Sequence, residues 1–74
     1  MTKIVEIVVE VGRYRHYKGN EYEVIGMARH SETREMMVVY RALYGASGMW
    51  VRPAEMFVES VTIDGKTQPR FTRL

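Results

Sequence analysis

Residues 12–30 read GRYRHYKGNEYEVIGMARH, and the way this stretch alternates decides what kind of fold the chain takes. On an extended backbone successive side chains point to opposite sides, so Tyr14 and His16 share one face of a first strand while Arg13, Arg15 and Tyr17 share the other. Gly19 and Asn20, within KGNE, both tolerate positive φ and supply a turn. The chain then returns as EYEVIGMARH, with Tyr22, Val24, Gly26 and Ala28 on one face and Ile25 and Met27 on the other beside Glu21, Glu23 and Arg29. Cations interleaved with aromatic rings are also the composition of a ligand cup or a nucleic-acid surface, but the spacing itself predicts two strands and a turn.

Working outward from this hairpin, the same punctuation continues. Residues 4–11 are almost all valine or isoleucine spaced by glutamates, a composition that favours an added N-terminal strand, with Gly12 allowing a bend after it. EMMVVYRALY, residues 35–44, is apolar on both faces, as a central strand is. GASG at 45–48 is a small-residue turn, MWV at 49–51 a short strand, and Pro53 opens one helical turn near 53–56. VESVTI is a further strand, the Asp64-Gly65 pair marks a tight hairpin, and Pro69 demotes the last strand, residues 66–72, to an edge. Five to seven short strands with turns every eight to twelve residues predict an all-β fold, a small SH3-like barrel whose closure would remove the edges that so short a chain cannot cover.

Seventy-four residues make a single domain spanning 1–74. An apolar fraction of 46% with 27% charged residues is that of a soluble globular protein. With no cysteine there is neither a disulfide framework nor a thiolate zinc site, which is compatible with a reducing cytoplasm. The opening MTKIVEIVVEV is broken by Glu6 and Glu10 and is read as neither a secretory signal nor a membrane span. The net charge of +2 is unevenly spread. Residues 12–30 set Arg13, Arg15, Lys18 and Arg29 against Glu21 and Glu23, and residues 64–74 set Lys66, Arg70 and Arg73 against Asp64. This permits an anionic partner, while strong nucleic-acid binders carry a heavier basic excess.

The stretches GRYRHYKGNEYEVIGMARHSET, VVYRALYG, WVRPAEMFVE and DGKTQPRF, in that order, resemble the small bacterial domain-of-unknown-function family numbered 1653. The resemblance covers roughly residues 12–72 and leaves the first eleven outside. It implies membership of a family and transfers no substrate, activity or catalytic residue. RALYG also looks like the ALYDY stretch of eukaryotic SH3 domains, but here it begins at Arg41, past the middle of the chain, without the acidic loop or paired tryptophans of that groove.

Catalysis finds little footing. Ser31, Ser47 and Ser60 lie in no nucleophile motif, and phosphate-loop and dinucleotide glycine patterns are missing, so no cofactor is expected. HSET brings a histidine, hydroxyl and carboxylate close in sequence, but neighbouring side chains diverge, and hydrogen bonds to the loop backbone are the plainer role for Ser31 and Thr33. His16 and His30 each follow an arginine, which opposes a bound cation, and would need a further ligand such as Glu32. A small hydrolase or metal-dependent activity is therefore the remote reading.

The aromatic and basic residues are the better candidates. Tyr22, Tyr40 and Phe57 are expected to fill a small core, and arginine stems to cover apolar surface. What is left, Tyr44, Trp50 and Arg52 beside GASG, with Tyr14, His16 and Arg29 as neighbours, is the expected contact surface. The methionines are expected as gap fillers. The sequence therefore reads as a cytoplasmic binding or accessory module whose partner is a protein or a small anionic ligand, with weak nucleic-acid or nucleotide binding as the alternative and no membrane contact.

If residues 4–11 form a strand with one face uncovered, two copies pair through it as a homodimer. Light scattering is then expected to give a dimer mass for the full chain and a monomer mass for a chain beginning at Gly12; identical monomer masses would end the idea.

Overall fold

The chain crosses itself as β1 (Gly12–His16), β2 (Glu21–Arg29), β3 (Met36–Ala42), β4 (Met49–Pro53), α1 (Ala54–Phe57), β5 (Ser60–Ile63), β6 (Lys66–Pro69) and β7 (Phe71–Arg73) in a computed structural model that describes residues 7–74. The hairpin read from residues 12–30 is present: Arg13 pairs with Glu23 and Arg15 with Glu21 across an antiparallel ladder. The helical turn falls one residue later than expected, with Pro53 as its cap. Asp64 and Gly65 both take positive φ, 51° and 77°, as the Asp-Gly hairpin requires.

The fold is all-β, but among the described residues its ladders do not close into a barrel. One antiparallel sheet runs β4-β3-β2-β1-β7 and a separate hairpin pairs β5 with β6, so β4 and β7 remain the two edges of the larger sheet. The physical reason lies at Arg70. Residues 66–72, expected as one edge strand, divide there: the Arg70 amide donates to Glu59 O at 3.0 Å, extending the β5–β6 ladder, while its carbonyl accepts from the Tyr17 amide at 2.9 Å, extending β1–β7. One residue thus belongs to both sheets.

The N-terminal strand expected over residues 4–11 is not found where the structure describes it. Residues 7–11 carry no strand, and 4–6 lie outside the described residues. Valine propensity yields here to burial. Val9 sinks into the core with Ile7 packed against it, and its amide meets Met27 Sδ at 3.3 Å. Gly12, at φ 138°, makes the bend into β1.

A second correction concerns β2. The register against β3 shifts between Val24 and Gly26, a β-bulge that reverses the alternation beyond it. Tyr22 and Val24 face inward as expected, but past the bulge it is Met27, not Gly26 or Ala28, that packs against the core. Val24, Val38 and Phe57 are essentially solvent-free. On the outer face, ion pairs Arg13–Glu21 (4.0 Å), Arg15–Glu21 (3.6 Å) and Arg41–Glu23 (2.9 Å) lace β1, β2 and β3; each is exposed and contributes at most about 1 kcal/mol. Among the described residues no helix is long and apolar enough to cross a membrane.

The inner face is covered by α1, whose ring packs on aromatic side chains of the sheet itself, β7 included. Phe57 and Phe71 stack with centroids 4.1 Å apart and planes 2° from parallel, and Tyr14 and Tyr40 meet Phe57 edge-on at 5.5 and 5.7 Å. At the usual stability per residue, 74 residues give roughly 4–11 kcal/mol to lose. Truncating Phe57 to Ala is expected to cost about 3–5 kcal/mol in urea unfolding, with a smaller loss for Phe57→Leu. Thr62→Ala on the separate hairpin should stay within about 0.5 kcal/mol; a loss at Phe57 no larger than that would contradict the assigned core.

Candidate functional site

Residues paired across antiparallel strands share a face of the sheet. His16 pairs with Phe71, Tyr22 with Ala42, Tyr40 with Trp50, and Val38 with Arg52, so register alone brings His16, Tyr22, Tyr40, Trp50, Arg52 and Phe71 to the inner face. Tyr44, two residues past β3, joins them through a 2.9 Å hydrogen bond between its hydroxyl and that of Tyr22.

Tyr22 is the hub of this group. Its ring stands edge-on to Tyr40 at 5.4 Å, to Tyr44 at 5.5 Å and to Phe71 at 5.7 Å, with His16 at 6.4 Å. Burial, reinforced by the Tyr44 hydrogen bond, pushes its hydroxyl up to about 12, so it stays protonated and serves as a neutral donor or acceptor. Arg52 crosses the same face: its Nε donates to the Tyr40 hydroxyl at 3.3 Å, and its guanidinium carbon sits 5.8 Å from the Phe71 centroid. Among the described residues it has no carboxylate partner, unlike Arg13, Arg15, Arg41, Arg70 and Arg73. Arg70 gives one nitrogen to Glu59 Oε1 at 2.8 Å, while its buried Nε has no hydrogen-bond partner among the described residues.

His16 lies where these groups converge. Burial, then the charges of Arg52, Arg70 and Lys18, hold its imidazole below the usual histidine value, so the ring is neutral near pH 7. Its Nδ1 accepts the Lys18 amide at 3.2 Å and the ring packs on Tyr17 and Phe71 at 4.4 and 5.0 Å. The result is a face of neutral polar groups and rings carrying a cationic excess. It can take up an anion; it offers no activated nucleophile.

Of the residues singled out by sequence, His16, Tyr44, Trp50 and Arg52 meet on this face. Tyr14 shares the face but is buried in the core, its hydroxyl donating to Glu10 O at 2.8 Å. Arg29 stands at the far end of β2, where its Nη1 donates to Arg34 O at 3.0 Å and steadies the β2–β3 loop. His30 serves that loop too, its Nδ1 accepting the Glu32 and Thr33 amides, while Thr33 Oγ1 accepts the Glu35 amide. Among the described residues no three His, Cys, Asp or Glu side chains gather as a metal site would require. Sequence reasoning assigned Tyr22 to the core alone and passed over Arg70. The signal for Tyr22 was its place opposite Tyr14 in the hairpin; Arg70 gave none, because its position follows from the change of sheet. A separate hollow of about 220 Å³, between Val8, Glu10 and Val58 on the other side of the Phe57–Phe71 stack, is lined by no cation and no histidine.

The model of a family described as proteins of unknown function, DUF1653, matches residues 12–73. A crystal structure of a protein from Bordetella bronchiseptica, described as belonging to that family, is 41% identical to this chain with a TM-score of 0.83, the match covering 89% of this chain and 87% of that one. No curated protein matches. The chain belongs to the DUF1653 family, and the resemblance read from residues 12–72 stands.

Because the folded state holds His16 below 6.5, protonation favours the unfolded chain. Its contribution to stability is complete above about pH 7 and declines as pH falls through 6.5 toward the lower folded-state value. Urea midpoints should therefore drop as the pH falls below 6.5, and His16→Phe, which keeps a ring against Phe71, should flatten that drop. An unchanged slope in the variant would mean that His16 is not the group responsible.

Proposed function

We propose that this member of the DUF1653 family is a binding module, without chemistry of its own, that recognises an anionic group on its partner through Arg52 and the rings around it. The carrying observation is the state of Arg52. Its Nε is tied to Tyr40 and its plane lies over Phe71, yet no described carboxylate pairs with it. Both Nη atoms remain to meet a carboxylate or phosphate end-on, in the two-pronged geometry that makes arginine selective for such groups. A side chain already held in place loses little freedom on binding, which favours affinity. Exposed Trp50 and Tyr44 supply apolar contact beside the charge.

Nucleic acid is the second reading, since Trp50 and Tyr44 have ring faces on which bases stack. Against it, carboxylates pair with Arg13, Arg15, Arg41 and Arg73. The described cations without such a partner, Lys18, Arg29, Arg34, Arg52 and Lys66, lie on five different strands and loops rather than along one track for a phosphate chain. We assign the protein to a bacterial cytoplasm, a reading supported by its lack of cysteine and by its Bordetella bronchiseptica relative.

Trp50 is the single tryptophan, so its fluorescence reports on this face directly. Titration with acetate and with inorganic phosphate is expected to change its emission and to raise the pKa of His16, because a bound anion offsets Arg52 and Arg70. Arg52→Ala should abolish both effects. Single- and double-stranded oligonucleotides at two salt concentrations should bind no more tightly than free phosphate. No response to either anion, or the same response in Arg52→Ala, would overturn the proposal, and tight salt-sensitive oligonucleotide binding would replace it with the nucleic-acid reading.

A further inference from the structure

We propose that the anion arrives on an extended acidic peptide segment, which adds as a sixth strand to the free edge of β4 and delivers its carboxylate to Arg52. The inference rests on the Arg52 reading above and adds to it the nature of the partner. Among the described residues β4 closes one side of the five-stranded sheet with no strand beyond it. The Ala42 amide donates to Gly48 O at 2.9 Å, and the register pairs Tyr40 with Trp50 and Val38 with Arg52. In an antiparallel ladder hydrogen-bonded pairs alternate, so Trp50 and Arg52 turn their amides and carbonyls toward β3, while Met49 and Val51 turn theirs outward. Those outward groups are what a peptide strand pairs with.

The side chains fit the same occupant. Met49, Trp50 and Val51 are 58%, 58% and 59% exposed, a run of three large apolar residues on an open edge with none of the charges that usually blunt one. An added strand would lay alternate side chains against Trp50 on the inner face and against Met49 and Val51 on the outer. Pro53 has no N–H and α1 follows it, so the ladder ends at the level of Arg52 and the docked segment is only a few residues long. Charge selects the occupant. A second copy pairing antiparallel about Val51 would bring two unpaired Arg52 residues within about a Debye length of each other, whereas an acidic segment neutralises Arg52 and relieves the field from Arg70.

The test uses the full chain, isotopically labelled for NMR, and capped hexapeptides of alternating valine and threonine with one glutamate at either end. Controls are the same peptides with lysine in place of glutamate, and with N-methylated backbone amides. The glutamate peptides are expected to shift the Met49 and Val51 amides and to slow their hydrogen exchange. Binding should weaken about tenfold with lysine or in Arg52→Ala, a change of the size a charged hydrogen bond brings, and should vanish on N-methylation. Val51→Pro removes the outward amide without touching a bond to β3, so it should fold, respond to acetate as before, and no longer bind the peptide. Peptide effects confined to Arg52 and His16, as for acetate, would overturn strand addition and leave the anion reading standing. Peptide pairing indifferent to glutamate or lysine would overturn the delivery of an anion to Arg52. Concentration-dependent shifts at Met49 and Val51 without peptide would make a second copy the occupant and overturn the proposal.

Discussion

Phe57 and Phe71 lie face to face, 4.1 Å apart and nearly parallel, and the rest of the molecule is arranged around that stack. A single five-stranded sheet has one face to bury and needs a second layer to bury it against. Here the second layer is only a four-residue helical turn, whose Phe57 stacks on Phe71 of β7, the sheet's own edge strand. Dispersion and burial in the stack hold the turn to the sheet, and the rings of Tyr14, Tyr22 and Tyr40 seal its rim edge-on. A chain this short has little else from which to make a core.

The same stack carries the candidate site. Phe71 is at once a core residue and the surface over which Arg52 lies, and Tyr40 is a buried ring whose hydroxyl reaches out to hold Arg52 Nε. A site built on residues fixed by packing keeps its geometry without a ligand present. Its position also depends on Arg70, whose amide serves one sheet and whose carbonyl serves the other. That double duty fixes Phe71 opposite His16 and sets the Arg70 guanidinium in the same neighbourhood. A buried guanidinium nitrogen without a partner is costly to the fold, and the Glu59 contact offsets the cost only in part.

Much of this was legible in the sequence because it is local. Alternation in residues 12–24, the Gly19-Asn20 and Asp64-Gly65 turns and the proline before α1 each act over a few residues, and each appears in the structure. What was not legible depends on residues far apart. The bulge near Ile25 leaves no mark on the alternation that precedes it, yet it brings Met27 inward. The division of residues 66–73 at Arg70 follows from two partners, Glu59 and Tyr17, one of them more than fifty positions away. Residues 7–11 have a strand's composition, and burial of Val9 overrides it. The site divides along the same line. The residue types were plain, but counting register across three ladders is what gathers His16, Tyr44, Trp50 and Arg52, leaves Tyr14 in the core and sends Arg29 to the far end.

Parity explains why, among the described residues, Arg52 alone of the strand arginines in β1, β3 and β4 lacks a carboxylate partner. The carboxylates of β1 through β4 are Glu21 and Glu23, and both fall on the outer face, where alternation also sends Arg13, Arg15 and Arg41. Cations and anions on that face therefore neutralise one another across neighbouring strands. Arg52 stands one step out of phase with Val51 and Met49, on the inner face opposite Val38, where the ladder offers no acid. A net charge of +2 thus understates the potential there, because the cancellation takes place on the other side of the sheet. The imidazole of His16, depressed first by burial and then by Arg52, Arg70 and Lys18, registers the same local excess in part. Placing Glu21, Glu23, Arg13, Arg15 and Arg41 in one phase of the strands and Arg52 in the other leaves a nearly neutral protein with an unneutralised positive charge on its inner face.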